Sequence, residues 1–149
     1  MLNNQEIIMG IEYFIIGISR DGAPTQEDVL ELFSPYWTEK EENYYFLDYG
    51  KEVYQGLIVH NECHFNIDFH EDNLAVKGVT IFKPCSDVKL EQAIFQLIYK
   101  FPMFVTYPSE PLLIITANFK CTEMIKEQYP ELIENLTVVS SFEEYNSLS

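Results

Sequence analysis

Arginine is almost missing from this chain. Arg20 is the only one among 149 residues, and 9 basic side chains face 24 acidic ones, for a net charge of −15. Phosphate backbones and anionic membrane surfaces repel such a protein, so nucleic acid and membrane are not expected as partners. A basic protein would be attracted. Cysteine is also scarce: Cys63, Cys85 and Cys121 are widely spaced, odd in number and without a C-x-x-C pair. Neither a disulfide framework nor a structural zinc site follows, and three free, mostly buried thiols are expected. The 6 glycines form no G-x-G-x-x-G or P-loop pattern, so no nucleotide cofactor is implied. There is no G-x-S-x-G elbow, and no serine or cysteine stands in an activating context, which leaves nucleophilic catalysis without a candidate. The longest apolar runs, such as 112–117, are too short to span a bilayer. The N-terminus shows no basic region followed by an apolar run and a cleavage site. A cytoplasmic protein is the resulting expectation.

What the chain does have is apolar content, 47 % of its residues, enough for one domain with a substantial core. Its densest part is 44–83, where aromatic and β-branched runs at 44–49, 57–60, 63–70 and 74–83 read as strands. Gly50-Lys51, Asn61-Glu62 and Glu71-Asp72-Asn73 fall between them as apparent punctuation. In the third run Cys63, Phe65, Ile67 and Phe69 alternate with His64, Asn66, Asp68 and His70. A period of two assigns the first set to the core and the second to an open face.

Around this meander the chain offers further elements. Residues 1–6 are polar and expected to fray, and Met9 is an alternative start. Residues 11–19 read as a strand. Thr25 with Asp28 three residues on forms a near capping box for a short helix that buries Val29, Leu30, Leu32 and Phe33 and ends at Pro35. Residues 39–43 read as a solvated loop. Ser86 caps a second helix, with Asp87 in its first turn and Leu90, Ala93, Ile94, Leu97, Ile98 and Phe101 as its buried stripe. A hairpin (103–107 and 112–117), a helix from Thr122 interrupted near Pro130, a brief strand at 136–139 and a capping box at Ser141 complete the series. The fold class predicted is α+β: one domain, with three to four helices on a largely antiparallel sheet.

Chemistry is harder to find. His64 and His70 share a strand face but lie about 20 Å apart along it, too far to bind one metal ion. His60 and His64 flank an expected turn, which leaves a weak metal site within 60–71 as the basis of an alternative reading, a small metal-dependent enzyme. A subunit of a larger assembly is a third. No catalytic residue, metal ligand or cofactor is assigned. The tyrosine-rich stretch 44–54 could stack single-stranded bases, but its acidic surroundings suit a protein partner better. The residues assigned to partner binding are Glu39, Glu41, Glu42, Asp48, Glu52, Asp68, Glu71 and Asp72.

Residues 79–145 also resemble, in type and layout, the C-terminal half of small immunity proteins from bacterial contact-dependent and other polymorphic toxin systems. The resemblance rests on Thr80-Ile81-Phe82-Lys83-Pro84, the helix at 87–101, the strand at 103–108 and the segment 140–145. It implies a cytoplasmic protein that binds and neutralises a cognate toxin domain. The charge then points to a basic toxin such as a nuclease, since an acidic inhibitor mimics nucleic acid and associates quickly. The likeness carries over no individual functional residue.

Overall fold

The computed structural model describes residues 12–42, 44–109 and 111–148. The expected fraying of 1–6 and the alternative start at Met9 lie outside these. One mostly antiparallel sheet of eight strands organises the chain: β1 (Glu12–Gly17), β2 (Trp37–Glu41), β3 (Tyr44–Tyr54), β4 (Leu57–Phe69), β5 (Val76–Phe82), β6 (Met103–Tyr107), β7 (Leu113–Thr116) and β8 (Leu136–Val138). Their spatial order is β2-β3-β4-β5-β1-β6-β7-β8. Only β7 and β8 run parallel, and they are the pair joined by a helical crossover, as a parallel connection requires. With four α-helices among the described residues, α1 (Gln26–Phe33), α2 (Val88–Lys100), α3 (Phe119–Gln128) and α4 (Phe142–Leu148), the fold is single-domain α+β.

Local signals explain the helix boundaries. Thr25 and Asp28 form the reciprocal capping box that starts α1. Asp87, rather than Ser86, is the N-cap of α2 and accepts from the Lys89 amide. The Asn118 side chain caps α3 in the same way, so that helix starts earlier than Thr122. At α4, Ser141 Oγ accepts from the Glu144 amide while the Glu144 carboxylate turns back to Ser140.

The two faces of the sheet are covered unequally. Helices α1, α2 and α4 lie on one face over the main core, built on Ile15, Phe33, Leu47, Phe65, Ile81, Leu90, Ile94 and Tyr145. On the other face, α3 covers only the β1–β6–β7 end, where Cys121 and Ile125 pack with Phe104, Ile114 and Ile16. Among the described residues no helix lies over the β2–β5 part of that face.

Three expectations are corrected. Of the solvated loop expected at 39–43, residues 39–41 belong instead to edge strand β2, whose exposed Glu39, Lys40 and Glu41 suit an edge that must not recruit another strand. The Gly50-Lys51 and Asn61-Glu62 breaks are not turns: the first is a bulge within β3 and the second lies inside β4. The actual turn is Gln55-Gly56, with φ of 52° and 81°, the pair of positive values that a two-residue hairpin loop needs. Finally, Cys63 and Cys85 are not free thiols but a disulfide, with Cα atoms 5.6 Å apart and a separation of 22 positions in sequence. Cys63 points to the core side of β4, and the segment after β5 folds back beside it. That closeness cannot be read from spacing. Cys121 is a free, buried thiol, its pKa pushed up to about 11 by burial.

Candidate interaction face

Cross-strand pairing aligns side chains in rows on the uncovered part of the sheet, because directly paired residues share a face. One row runs Glu39–Phe46–His64–Phe82–Glu12 across β2, β3, β4, β5 and β1. The next runs Glu41–Tyr44–Asn66–Thr80–Phe14 over the same strands. To one side of them Asp48 pairs with Glu62, and to the other Asp68 pairs with Gly78. The centre of the face is therefore aromatic and its margins are carboxylates.

The rings form a connected cluster. His64 stacks on Phe82 with centroids 5.0 Å apart and meets Tyr44 edge-on at 5.3 Å and Phe46 at 5.7 Å. Tyr44 also reaches Phe82 at 5.7 Å. Burial among the rings, and then the nearby Lys83, lower the His64 pKa below the usual imidazole value. The shift weakens any positive charge this histidine would bring to the face. Beside the cluster a hollow of about 360 Å³ is floored by Gly78, with Phe14, Asp68 and Lys77 on its walls. A Cβ at Gly78 would lie 3.1 Å from the Ile15 carbonyl oxygen, so the absence of a side chain there both permits strand packing and leaves the hollow open.

The structure gathers half of the residues assigned from sequence. Glu39, Glu41, Asp48 and Asp68 belong to this face. Glu42 lies in the β2–β3 turn with φ of 56°, and Glu52 lies on the far part of the β3–β4 hairpin. Glu71 and Asp72 sit in the β4–β5 turn. Asp72 has a structural task there: it accepts from the Leu74 and Ala75 amides at 2.9 and 3.2 Å and pairs with Arg20. Those backbone bonds first, then Arg20, hold its carboxyl below the usual carboxylate range. The 44–54 stretch, read from sequence as suited to a protein partner, supplies Tyr44 and Phe46 of the aromatic centre, whereas Phe14 and Phe82 were missed, because a phenylalanine in a strand run carries no sign of which face a helix covers.

The histidines do not assemble a metal site. His60 and His64 lie on one strand rather than across a turn, and His60 faces Glu62 with Nδ1 3.4 Å from the carboxylate. Among the described residues no group of three or more His, Cys, Asp or Glu side chains could hold a metal ion.

A second polar cluster lies on the covered side. Tyr145 donates to Glu91 Oε1 at 2.7 Å and shares a hydrogen bond with Tyr107, whose ring meets Tyr13 edge-on. Burial raises the Glu91 pKa above the usual carboxylate range, with the Tyr145 hydrogen bond pulling the other way. The folded protein thus holds this proton more tightly than the unfolded chain does, so stability falls as pH rises through the raised value. Glu91→Gln keeps an acceptor for Tyr145 without the ionisation. The variant is expected to melt higher than the wild type at pH 8, with the advantage vanishing near pH 4, as read by thermal unfolding at several pH values.

Comparison with protein-family models, characterised proteins and solved structures found no match to this chain.

Proposed function

We propose that this protein is an inhibitor of the immunity type, which binds and neutralises a cognate basic toxin domain, a nuclease by preference, through the open face of its sheet. The observation that carries this reading is the row Glu39–Phe46–His64–Phe82–Glu12, aromatic in the middle and acidic at both ends. Arginine and lysine side chains can lie over such rings and pair with the flanking carboxylates. Aromatic anchors within a polar rim are what protein interfaces are built from. The same rings could stack nucleic-acid bases, but the surrounding carboxylates and the net charge of −15 oppose phosphates. The hollow over Gly78, with Asp68 on its wall, offers room for one basic side chain. The resemblance to immunity proteins favours action in the cytoplasm. The Cys63–Cys85 bridge favours a second setting, an oxidising compartment, where disulfides persist. Thiol trapping in intact cells separates the two.

The test is co-expression with the protein encoded directly upstream of this chain's gene. That protein alone is expected to arrest growth, and this chain to restore it. Glu39→Lys, Glu41→Lys and Asp68→Lys together should slow association at low salt by at least about tenfold, because steering contributes on that scale. The difference should shrink as the Debye length falls from about 10 Å at 0.1 M salt to about 3 Å at 1 M. Asp72 is left intact because it holds its turn. An unchanged association rate would mean that binding lies elsewhere.

A further inference from the structure

The β3–β4 hairpin runs on past its neighbours. β2 pairs with β3 no further than Leu47, and β5 pairs with β4 no further than His64. Beyond these points no other described strand pairs with them, over about 20 Å from Asp48 to Tyr54. Every residue from 51 to 60 is exposed. This arm is nonetheless apolar: Val53, Tyr54, Leu57, Ile58 and Val59 are 45–76 % exposed. Scattered apolar residues on a surface are ordinary, whereas five on one ten-residue projection form a patch of the kind that marks an interaction site.

The arm is apolar on both sides. Register places Tyr54, Leu57 and Val59 with Glu52 on one face, and Val53 and Ile58 with Lys51 and His60 on the other. A flat partner surface would cover one of these faces and leave the other wet, whereas a cleft covers both. A second copy of this chain is a poor occupant, since each carries −15 and a two-fold arm-to-arm contact buries a single face of each ribbon. An anionic bilayer repels the same charge.

The arm is also held at its base. The Cys63–Cys85 disulfide ties β4 to the segment before α2. Two hydrogen bonds of 3.3 Å join Asn61 to Ser86. Tyr49 stacks on Tyr36 at 4.7 Å, and the Asp48 amide donates to the Tyr36 carbonyl at 2.8 Å. An arm fixed this way loses little freedom on binding.

We propose that the β3–β4 arm inserts into an apolar-lined, basic-rimmed cleft of the same partner that the open sheet face engages. The inference rests on the function proposed above. Charge complementarity supplies the basic rim, because Asp48 and Glu62 stand paired at the arm's base and Glu52 further along it, against the single cation Lys51. The apolar tip supplies the cleft. Division of labour follows: the face sets how fast the partner arrives, and the arm how long it stays.

A photo-crosslinking phenylalanine analogue placed at Tyr54, at Phe46 on the face, and at Tyr99 on the outer side of α2 as a control tests this in the host cell. The expected result is one basic protein linked from both Tyr54 and Phe46 and not from Tyr99. With that protein purified, Leu57→Ser with Ile58→Ser should speed dissociation about 30-fold, the scale of a binding hot spot, and change association less than about twofold. Melting temperature, measured alongside, should be unchanged, since both residues lie beyond the last strand neighbour. Linkage from Phe46 without Tyr54 overturns the arm and spares the proposed function. No linkage from either position overturns both. Linkage from Tyr54 to a second copy, with a dimer in sedimentation that the serine pair abolishes, overturns the proposal in favour of self-association. Flotation with phosphatidylcholine vesicles that the serine pair abolishes overturns it in favour of a membrane.

Discussion

Phe65→Ala is expected to lower stability by about 3–5 kcal/mol, the range for emptying an aromatic site in a packed core. Phe65 is fully buried on β4, between Phe33 of α1, with ring centroids 4.5 Å apart, and Tyr45 of β3 at 5.1 Å. Both contacts are near-parallel stacks, so truncation removes ring contacts on two sides. The surroundings cannot close the gap cheaply. Tyr45 is also held by a hydrogen bond to Gln26 and meets Trp37 edge-on, which ties the neighbouring rings to other elements. Denaturant unfolding gives the value directly, and the melting temperature should drop by on the order of 10 °C. Phe65 lies between His64 and Asn66, which face the open side. The same substitution should therefore loosen the interaction face from beneath.

Removal of the Cys63–Cys85 bridge comes second, at about 3 kcal/mol for a loop of this length. The bridge closes a loop spanning 22 positions and so restricts the unfolded chain. In the folded protein it also anchors the arm, together with the Asn61–Ser86 pair. Two readouts are expected to move. Unfolding in denaturant should shift to lower concentration with reductant or in Cys63→Ser, Cys85→Ser protein. Amide exchange along 51–60 should quicken more than exchange in β1 or β6, because the arm loses a brace and those strands do not. Equal stability with and without the bridge would mean that packing alone holds the segment before α2.

Much of the architecture was legible in the sequence because it is encoded locally. The Thr25–Asp28 capping box, the apolar stripe of α2, the capping box at Ser141 and the alternation from Cys63 to Ile67 each depend on residues a few positions apart. The alternation holds up to Asp68, where a bulge shifts the register and Phe69 becomes only partly buried. The hairpin was misread for an equally local reason. Gly50 looks like a turn residue, yet its positive φ of 100° serves a bulge, and Gln55-Gly56 is a less familiar turn pair than Asn-Gly.

The candidate face was legible only by half. Carboxylates announce themselves as surface, so Glu39, Glu41, Asp48 and Asp68 could be listed, although so could Asp72, whose turn-forming task shows only in its hydrogen bonds. Phenylalanines in strands carry no such mark. Whether Phe14, Phe46 and Phe82 are core or interface depends on which part of the sheet a helix covers, and that is settled by chain segments far away.

By itself, the sequence determined the charge, the element types and the faces of individual strands and helices, because these follow from side-chain chemistry and from periods of two and 3.6 residues. Tertiary structure alone decided that Cys63 meets Cys85, that one row of side chains joins Glu39 to Glu12 across five strands, and that the hairpin outruns its neighbours. Each of these depends on strand order and register, which arise when distant segments compete to bury the same apolar surface.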